Sequence, residues 1–374
     1  MNKSILVFGG GKIGRSFIGQ LFSRAGYEVV FSDVDKALVD ELNRRHSYPV
    51  IIKSDSGDET LTVSNVRAIY GSEENVVGEV AKASIIATSV GKNVLGKIIP
   101  SIAKGLLRRY ELYGDAPIDI IIAENMREAA AFMRSQFALT LPPEFPFDSL
   151  TGLVETSIGK MVPLMTAEDL SKDPLAVFAE PYNTLIVDRK GFRASIPDVK
   201  GLAAKDNIAA WVDRKSFIHN LGHATAAYFG NYRYPAAVYM YEVLQDAEVY
   251  AFTHSVMLQA ADALLAEYPS DFTMPELEAH IDDLLERFQN RALKDTVYRV
   301  GQDRPRKLAP DDRFMGAIRL AEKHSLPCNL IVEAMHYAFT FSATDENGMR
   351  SAADIRFDEE ISNGERLNGA RSNG

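Results

Sequence analysis

At 374 residues, with 46% hydrophobic and 25% charged side chains, the chain has the make-up of an ordinary globular protein long enough for two domains. Its formal net charge of −10 argues against a broad nucleic-acid or anionic-membrane surface, since either partner needs an extended positive field. The single cysteine, Cys328, excludes an intrachain disulfide and a cysteine-rich zinc site, and points to a reducing, cytoplasmic compartment.

The N-terminal apolar segment is too brief for a signal peptide or a membrane span, and no later stretch reaches about 18 consecutive apolar residues. Residues 4–8 predict a first strand, followed by glycines and a helix that Gly26 closes. Residues 28–32 read as the second strand. Later strands are predicted at 84–87 and 118–123, the latter a nearly all-apolar run suited to burial on both faces. Residues 48–53, 59–63 and 66–70 predict further short strands. This alternation of strand and helix patterns favours a parallel sheet covered by helices. Helical spacing then dominates over 206–229, 236–267, 274–290 and 311–323.

Gly9-Gly10-Gly11-Lys12-Ile13-Gly14 fits G-x-G-x-x-G, with a predicted strand before it and an amphipathic helix after it. Gly9 would permit the tight turn, Gly11 the close approach of a pyrophosphate, and Gly14 close packing of helix on strand. Lys12 and Ile13 complete this cofactor-binding turn. Asp33 ends the second strand 19 residues after Gly14, where a carboxylate can accept hydrogen bonds from both adenosine ribose hydroxyls. Asp35 adds a second negative charge and no arginine follows immediately, so NAD is favoured over NADP. The plainer alternative is a glycine-rich turn without a cofactor.

The fold reading is therefore α/β: an N-terminal Rossmann-type dinucleotide-binding domain, residues 1–195, then a mainly α-helical substrate domain, residues 196–361. Residues 362–374, rich in Gly, Asn, Ser and Arg, predict a mobile tail.

In the segment Lys215 to His223, an α-helix at about 100° per residue would place Lys215, His219, Asn220 and His223 on one arc of roughly 140°. That combination suits alcohol oxidation. A lysine can take the hydroxyl proton as hydride leaves carbon, while amide N–H groups hold the developing alkoxide. His219 and His223 have a spacing that can bind metal, but no third ligand is visible, so metal-independent chemistry is expected. A solvated surface lysine beside Asp213 and Arg214 is the plainer alternative for Lys215.

Lys215-x4-Asn220-x2-His223, combined with the glycine motif, resembles the signature of the polyol-specific long-chain dehydrogenases. The similarity runs through Arg45-His46-Ser47-Tyr48, Glu124-Asn125-Met126, Ile186-Val187-Asp188, Leu293-Lys294-Asp295 and Arg299-Val300-Gly301. It is greatest to the branch acting on mannitol 1-phosphate. The resemblance implies NAD-dependent, metal-independent oxidation of a secondary alcohol on a polyol or polyol phosphate, with mannitol 1-phosphate and fructose 6-phosphate as the first pair expected. It implies Lys215 as general base and Asn125 with Asn220 as the oxyanion hole. His223 would orient the reacting oxygen, and Arg299 and Lys307 would contact distal hydroxyls or a phosphate.

Independently of that resemblance, Arg299, Arg304, Arg306, Lys307 and Arg313 form a basic run in an acidic chain, as a phosphorylated sugar requires. An exposed loop balanced by Asp303, Asp311 and Asp312 is the alternative. Where many family members carry Asp-Arg shortly before a proline, this chain has Gly159-Lys160, so the sugar stays open and Lys160 is a candidate for reaching a phosphate or carboxylate. The expected partner is a small-molecule substrate, with no nucleic acid, no membrane and a monomeric state. Rival readings are a keto-uronate reductase, a free-polyol dehydrogenase, a ketopantoate-type reductase preferring NADPH, and a dinucleotide sensor without turnover.

Overall fold

In the computed structural model, which describes residues 3–71 and 73–363, the run Ser4-Ile5-Leu6-Val7-Phe8 forms strand β1 (Ser4–Phe8). Ile5 and Val7 enter one core with Val29 and Phe31, while Leu6 and Phe8 enter a second core with Val30 and Ile86. A strand buried on both faces has no polar face to show, which is why it reads as an unbroken apolar run.

The chain separates into two compact units, Met1–Val212 and Asp213–Gly374. The first holds β2 (Glu28–Asp33), β3 (Ser47–Ile52), β4 (Glu59–Ser64), β5 (Val66–Tyr70), β6 (Ile85–Thr88) and β7 (Ile118–Ile122). It continues with β8 (Thr151–Ser157), β9 (Val177–Ala179), β10 (Leu185–Asp188) and β11 (Leu202–Lys205). Eight of these form a sheet in the order β5-β2-β1-β6-β7-β8-β10-β11. The six from β5 to β8 pair in parallel, in the doubly wound order of a dinucleotide-binding sheet whose direction of winding reverses beside β1. β10 pairs antiparallel to β8, and β11 runs parallel to β10. A separate sheet, β4-β3-β9, holds the short strands expected at 48–53 and 59–63.

Strands β8 to β11 are not among the sequence expectations, and local physics explains the omission. β8 contains Gly152, ordinarily a strand breaker, because a Cβ there would stand 2.0 Å from Asp119 Oδ1 of β7. β9 has only three residues and β11 is half-buried throughout, so neither shows a clean period. Gly26 behaves as expected: it follows the helix Gln20–Arg24 with φ of +82°, a conformation side-chain-bearing residues rarely adopt.

The second unit is helical among its described residues. Its central helix, Leu221–Arg233, is buried along nearly its whole length. Small residues let its neighbours approach: a Cβ at Gly222 would meet Met257 Sδ at 2.3 Å, and one at Gly230 would meet Val243 Cβ at 2.6 Å. The expected helices are shorter or divided. The stretch 236–267 becomes Met240–Leu244 and Ala247–Glu267, because the Asp246 side chain accepts the Glu248 and Val249 N–H groups and starts a new helix. The helix Met274–Phe288 opens on a capping box between Thr273 and Glu276. The largest correction lies in 206–229, where Lys215–Asn220 is π-helical rather than α-helical. Of the expected tail, Ser362 and Asn363 close the helix Ala352–Ser362, and residues 364–374 lie outside the described residues.

Candidate active site

The first unit builds a dinucleotide turn. Gly9 has φ of +92°, and a Cβ on it would press on Ser89 O at 2.5 Å. At Gly14 a Cβ would stand 2.0 Å from Gly9 O, so helix and strand can meet only without a side chain there. Around a Cβ built on Gly11, by contrast, nothing lies within 4 Å. That open approach fits the demand of a pyrophosphate. Lys12 is exposed, while Ile13 packs against the core.

The Gly10 peptide is held from both sides. Its N–H donates to Asp33 Oδ2 at 2.7 Å, and its carbonyl accepts from Arg15 Nε at 2.7 Å. Arg15 is buried and also donates to Leu175 O, while Tyr48 donates its hydroxyl to Arg15 O at 2.8 Å. The sequence by itself assigns neither residue a role. Asp35, read as a second repulsive charge, caps the helix Lys36–Arg45 by accepting the Ala37 and Leu38 N–H groups.

Gly9 follows β1, Ser89 follows β6 and Asn125 lies just beyond β7, so all three occupy the carboxyl edge of the parallel sheet. Asn125 is exposed, but Glu124 before it is buried. Its carboxylate accepts the Val90 N–H at 2.9 Å and the Gly91 N–H at 2.8 Å, tying the loop after β6 to the end of β7. Burial pushes the Glu124 carboxyl upward, and these N–H donors oppose the shift. An acidic residue just after a nearly all-apolar strand was the available signal.

In the second unit the π-helical stretch changes the spacing. A π turn closes on i→i+5, as shown by Leu221 N–H reaching Ser216 O. Lys215 and Asn220 stand at the two ends of this stretch, and His223 follows on the next α turn. All three are half-buried, whereas Ser216 to His219 between them are buried. His219 is the more deeply buried of the two histidines, its ring 6.2 Å from that of His223. Its ring lies 5.5 Å from the Phe288 ring, and burial, then the charge of Arg287, holds it neutral, well below the usual histidine range.

His223 stacks on Phe288 with ring centroids 4.3 Å apart and planes 6° from parallel. Its Nε2 lies 3.1 Å from Asp295 Oδ2, and Asp295 Oδ1 accepts from Arg299 Nε at 2.6 Å. Arg313 donates Nη1–H to Asn220 O at 3.3 Å. Burial raises the Asp295 carboxyl, but His223 and Arg299 outweigh that and hold it at about 2. Asp295 had been read only as part of a motif.

The basic run from 299 to 313 is corrected more severely. Arg304 is fully buried and bound to Asp354 and Asp358, so it is a core ion pair rather than a substrate contact. Arg306 pairs with Asp303 and Arg313 with Asp312. Lys307 is buried, with Nζ donating to Val300 O at 2.6 Å and to Gln302 O. Burial, then the charges of Arg313 and Arg306, pushes it down to about 7. The open positive cluster expected here is thus largely neutralised. Lys160 is likewise occupied, donating to Tyr182 O at 2.8 Å and Asn183 Oδ1 at 2.9 Å.

Comparison with known proteins follows this division. The profile of the mannitol dehydrogenase Rossmann domain matches residues 3–201, and that of the mannitol dehydrogenase C-terminal domain matches residues 207–368. The chain belongs to the mannitol dehydrogenase family. The resemblance to polyol-specific dehydrogenases therefore holds, as does the order of a Rossmann-type domain followed by a helical one. Among solved structures, D-sorbitol dehydrogenase in substrate-free form matches with a TM-score of 0.78 and 16% identity, over 94% of this chain and 83% of that one. D-Mandelate dehydrogenase with NADH and anilino(oxo)acetate matches with a TM-score of 0.50 and 13% identity, over 90% of this chain and 97% of that one. At these identities the likeness is one of fold. Among the described residues of this mannitol dehydrogenase family member, no helix is long and apolar enough to cross a membrane.

Proposed function

We propose that this chain is an NAD-dependent polyol or polyol-phosphate dehydrogenase in which Lys215 is the general base. The observation that carries the reading is the π-helical stretch, which sets Lys215 and Asn220 at its ends among buried neighbours, with His223 one turn on. π-Helical bulges often occur at functional sites, where they re-aim side chains that a regular helix would disperse.

NAD, when bound, supplies the acceptor for the hydride. Lys215, as the neutral amine, takes the proton of the substrate's secondary hydroxyl as the C–H bond is lost as hydride, leaving a ketone. Asn125 and Asn220 share one task, donating amide N–H to the oxygen as negative charge develops on it. Arg299 binds distal substrate groups, and Asp33 selects NAD over its 2′-phosphorylated form, whereas Lys307 is engaged by the Val300 and Gln302 carbonyls. Mannitol 1-phosphate and fructose 6-phosphate are the first pair.

A second reading, oxidation of a free polyol, is favoured by the pairing of Arg299, Arg304, Arg306 and Arg313 with carboxylates. Reduction of a keto-uronate is the other sister activity and, like a phosphate, needs a cation for its carboxylate. NADH oxidation with fructose 6-phosphate, fructose, fructuronate and tagaturonate separates the substrates. Lys215→Ala is expected to lower kcat by about 10²–10⁴-fold while NADH binding persists. An undiminished rate would remove Lys215 from the chemistry, and inactivity of the wild type on all four would overturn the substrate assignment but not the fold.

A further inference from the structure

We propose that Asp295 is a positioning residue that holds His223 in the tautomer protonated on Nε2, so that His223 accepts a hydrogen bond from a substrate hydroxyl beside the reacting one. The inference rests on the substrate-site reading of His223 given above, and it assigns that residue a different oxygen from the one the family resemblance implies.

Three features carry it. Asp295 is fixed through its backbone: its carbonyl accepts the Met240 N–H at 2.9 Å, and two residues on the Val297 N–H donates to Val238 O at 2.9 Å. Thr296 bridges to Tyr239 between them, and its hydroxyl accepts the Arg299 N–H at 3.1 Å. The carboxylate is then divided between two partners, His223 Nε2 at 3.1 Å and Arg299 Nε at 2.6 Å. Finally, the imidazole cannot turn away, because its face lies against Phe288.

The chemistry follows from that geometry. His223 Nε2 is sealed from solvent, and although no described acceptor, Asp295 included, meets it in full hydrogen-bond alignment, the Asp295 carboxylate 3.1 Å away is the charge it faces. The His223 side chain keeps 13% of its surface exposed, and none of it at Nε2. Burial holds the ring neutral against the opposing pull of Asp295. A neutral imidazole facing a carboxylate places its one proton between them, and the other nitrogen, Nδ1, is left as an acceptor. An acceptor cannot hold a ketone oxygen, which has no hydrogen to give. Nor can it take the reacting hydroxyl's proton, which goes to Lys215. A neighbouring hydroxyl satisfies both conditions, so the site would take a vicinal diol or its α-hydroxyketone product.

The test uses the full chain labelled with ¹⁵N-histidine. Two-bond ¹H–¹⁵N spectra report the tautomer, with His223 assigned by loss of its signals in His223→Gln. Wild type is expected to show the Nε2–H pattern, and Asp295→Asn to lose it. In parallel, Asp295→Asn is expected to lower kcat by about 100-fold, the scale of a misplaced catalytic contact, with NADH binding within about two-fold of wild type. Asp295→Glu should recover part of the rate. An Nδ1–H or doubly protonated His223 in the wild type overturns the proposal, and so does an Asp295→Asn variant with unchanged tautomer and rate. If no ketose is turned over, the substrate reading fails, and the wild-type spectrum still decides the tautomer.

Discussion

Asp33 Oδ2 accepts the Gly10 N–H at 2.7 Å, while its Oδ1 accepts the Asp35 N–H at 2.9 Å. The acidic residue ending β2 is thus anchored to the turn that would hold the phosphates, and its charge has a set position. Asp33→Ala should weaken NADH binding by roughly 10- to 100-fold, the loss of about 1.5–3 kcal/mol of charged hydrogen bonding. NADPH should lose less, or gain, because the repulsion of a 2′-phosphate goes with the carboxylate. Fluorescence titration with both cofactors measures this. An unchanged ratio of the two affinities would sink the electrostatic account of cofactor choice.

Two glycines of the same turn should fail in different ways. At Gly14 an added Cβ would lie 2.0 Å from Gly9 O, so Gly14→Ala should cost about 1–3 kcal/mol or more and lower the melting temperature. Gly11 has open space instead, so Gly11→Ala should melt like wild type. It should nevertheless bind NADH roughly 5- to 150-fold more weakly, because the methyl group crowds the pyrophosphate. Calorimetry and titration on the same pair of variants decide it. Equal NADH affinity in wild type and Gly11→Ala would move the phosphates elsewhere.

Acid should destabilise the second unit early. His219, His223 and His280 all have pKa values lowered in the fold, each chiefly by burial. Below about pH 6.5 the unfolded chain binds protons that the native imidazoles refuse, so stability falls as pH drops. Each such histidine contributes a slope of about 1.4 kcal/mol per pH unit. Urea unfolding from pH 7.5 to 5 should therefore show a steep loss, and His219→Gln should flatten it by about one such increment. A variant slope equal to that of wild type would mean that His219 titrates normally.

Arg304 should matter for folding rather than for substrate. Its Nη2 donates to Asp358 Oδ1 at 2.7 Å and to Asp354 O at 2.9 Å, while its Nε lies 3.2 Å from Asp354 Oδ1. Arg304→Ala leaves the buried Asp354 carboxylate without its cation, with only the 303 and 304 N–H groups and the Ser351 hydroxyl donating to it, at a cost of about 3–5 kcal/mol. The melting temperature should drop by roughly 10 °C, with KM for the ketose near the wild-type value in the folded fraction. A raised KM at unchanged stability would return Arg304 to the substrate.

The nucleotide-binding half was legible because its signals are local. Burial on both faces leaves β1 and β7 nearly all apolar, with Ser4 and Asp119 the exceptions, and the glycine spacing with Asp33 after it describes one short βαβ unit. β8 was not legible, since its Gly152 is explained only by Asp119 on a neighbouring strand. The motif Lys215-x4-Asn220-x2-His223 could be named from spacing, yet its geometry could not: a helical period assumes α turns, and Lys215–Asn220 forms a π stretch instead.

Charge was the least legible property. Arg304 and Arg306 are two residues apart and look alike in the chain, but one is sealed against Asp354, fifty residues on, and the other is paired nearer the surface with Asp303. Residue type and period can announce a strand, a turn or a catalytic motif because those arise between near neighbours. Which cation stays open to a ligand depends on carboxylates brought from distant segments, and packing alone supplies them.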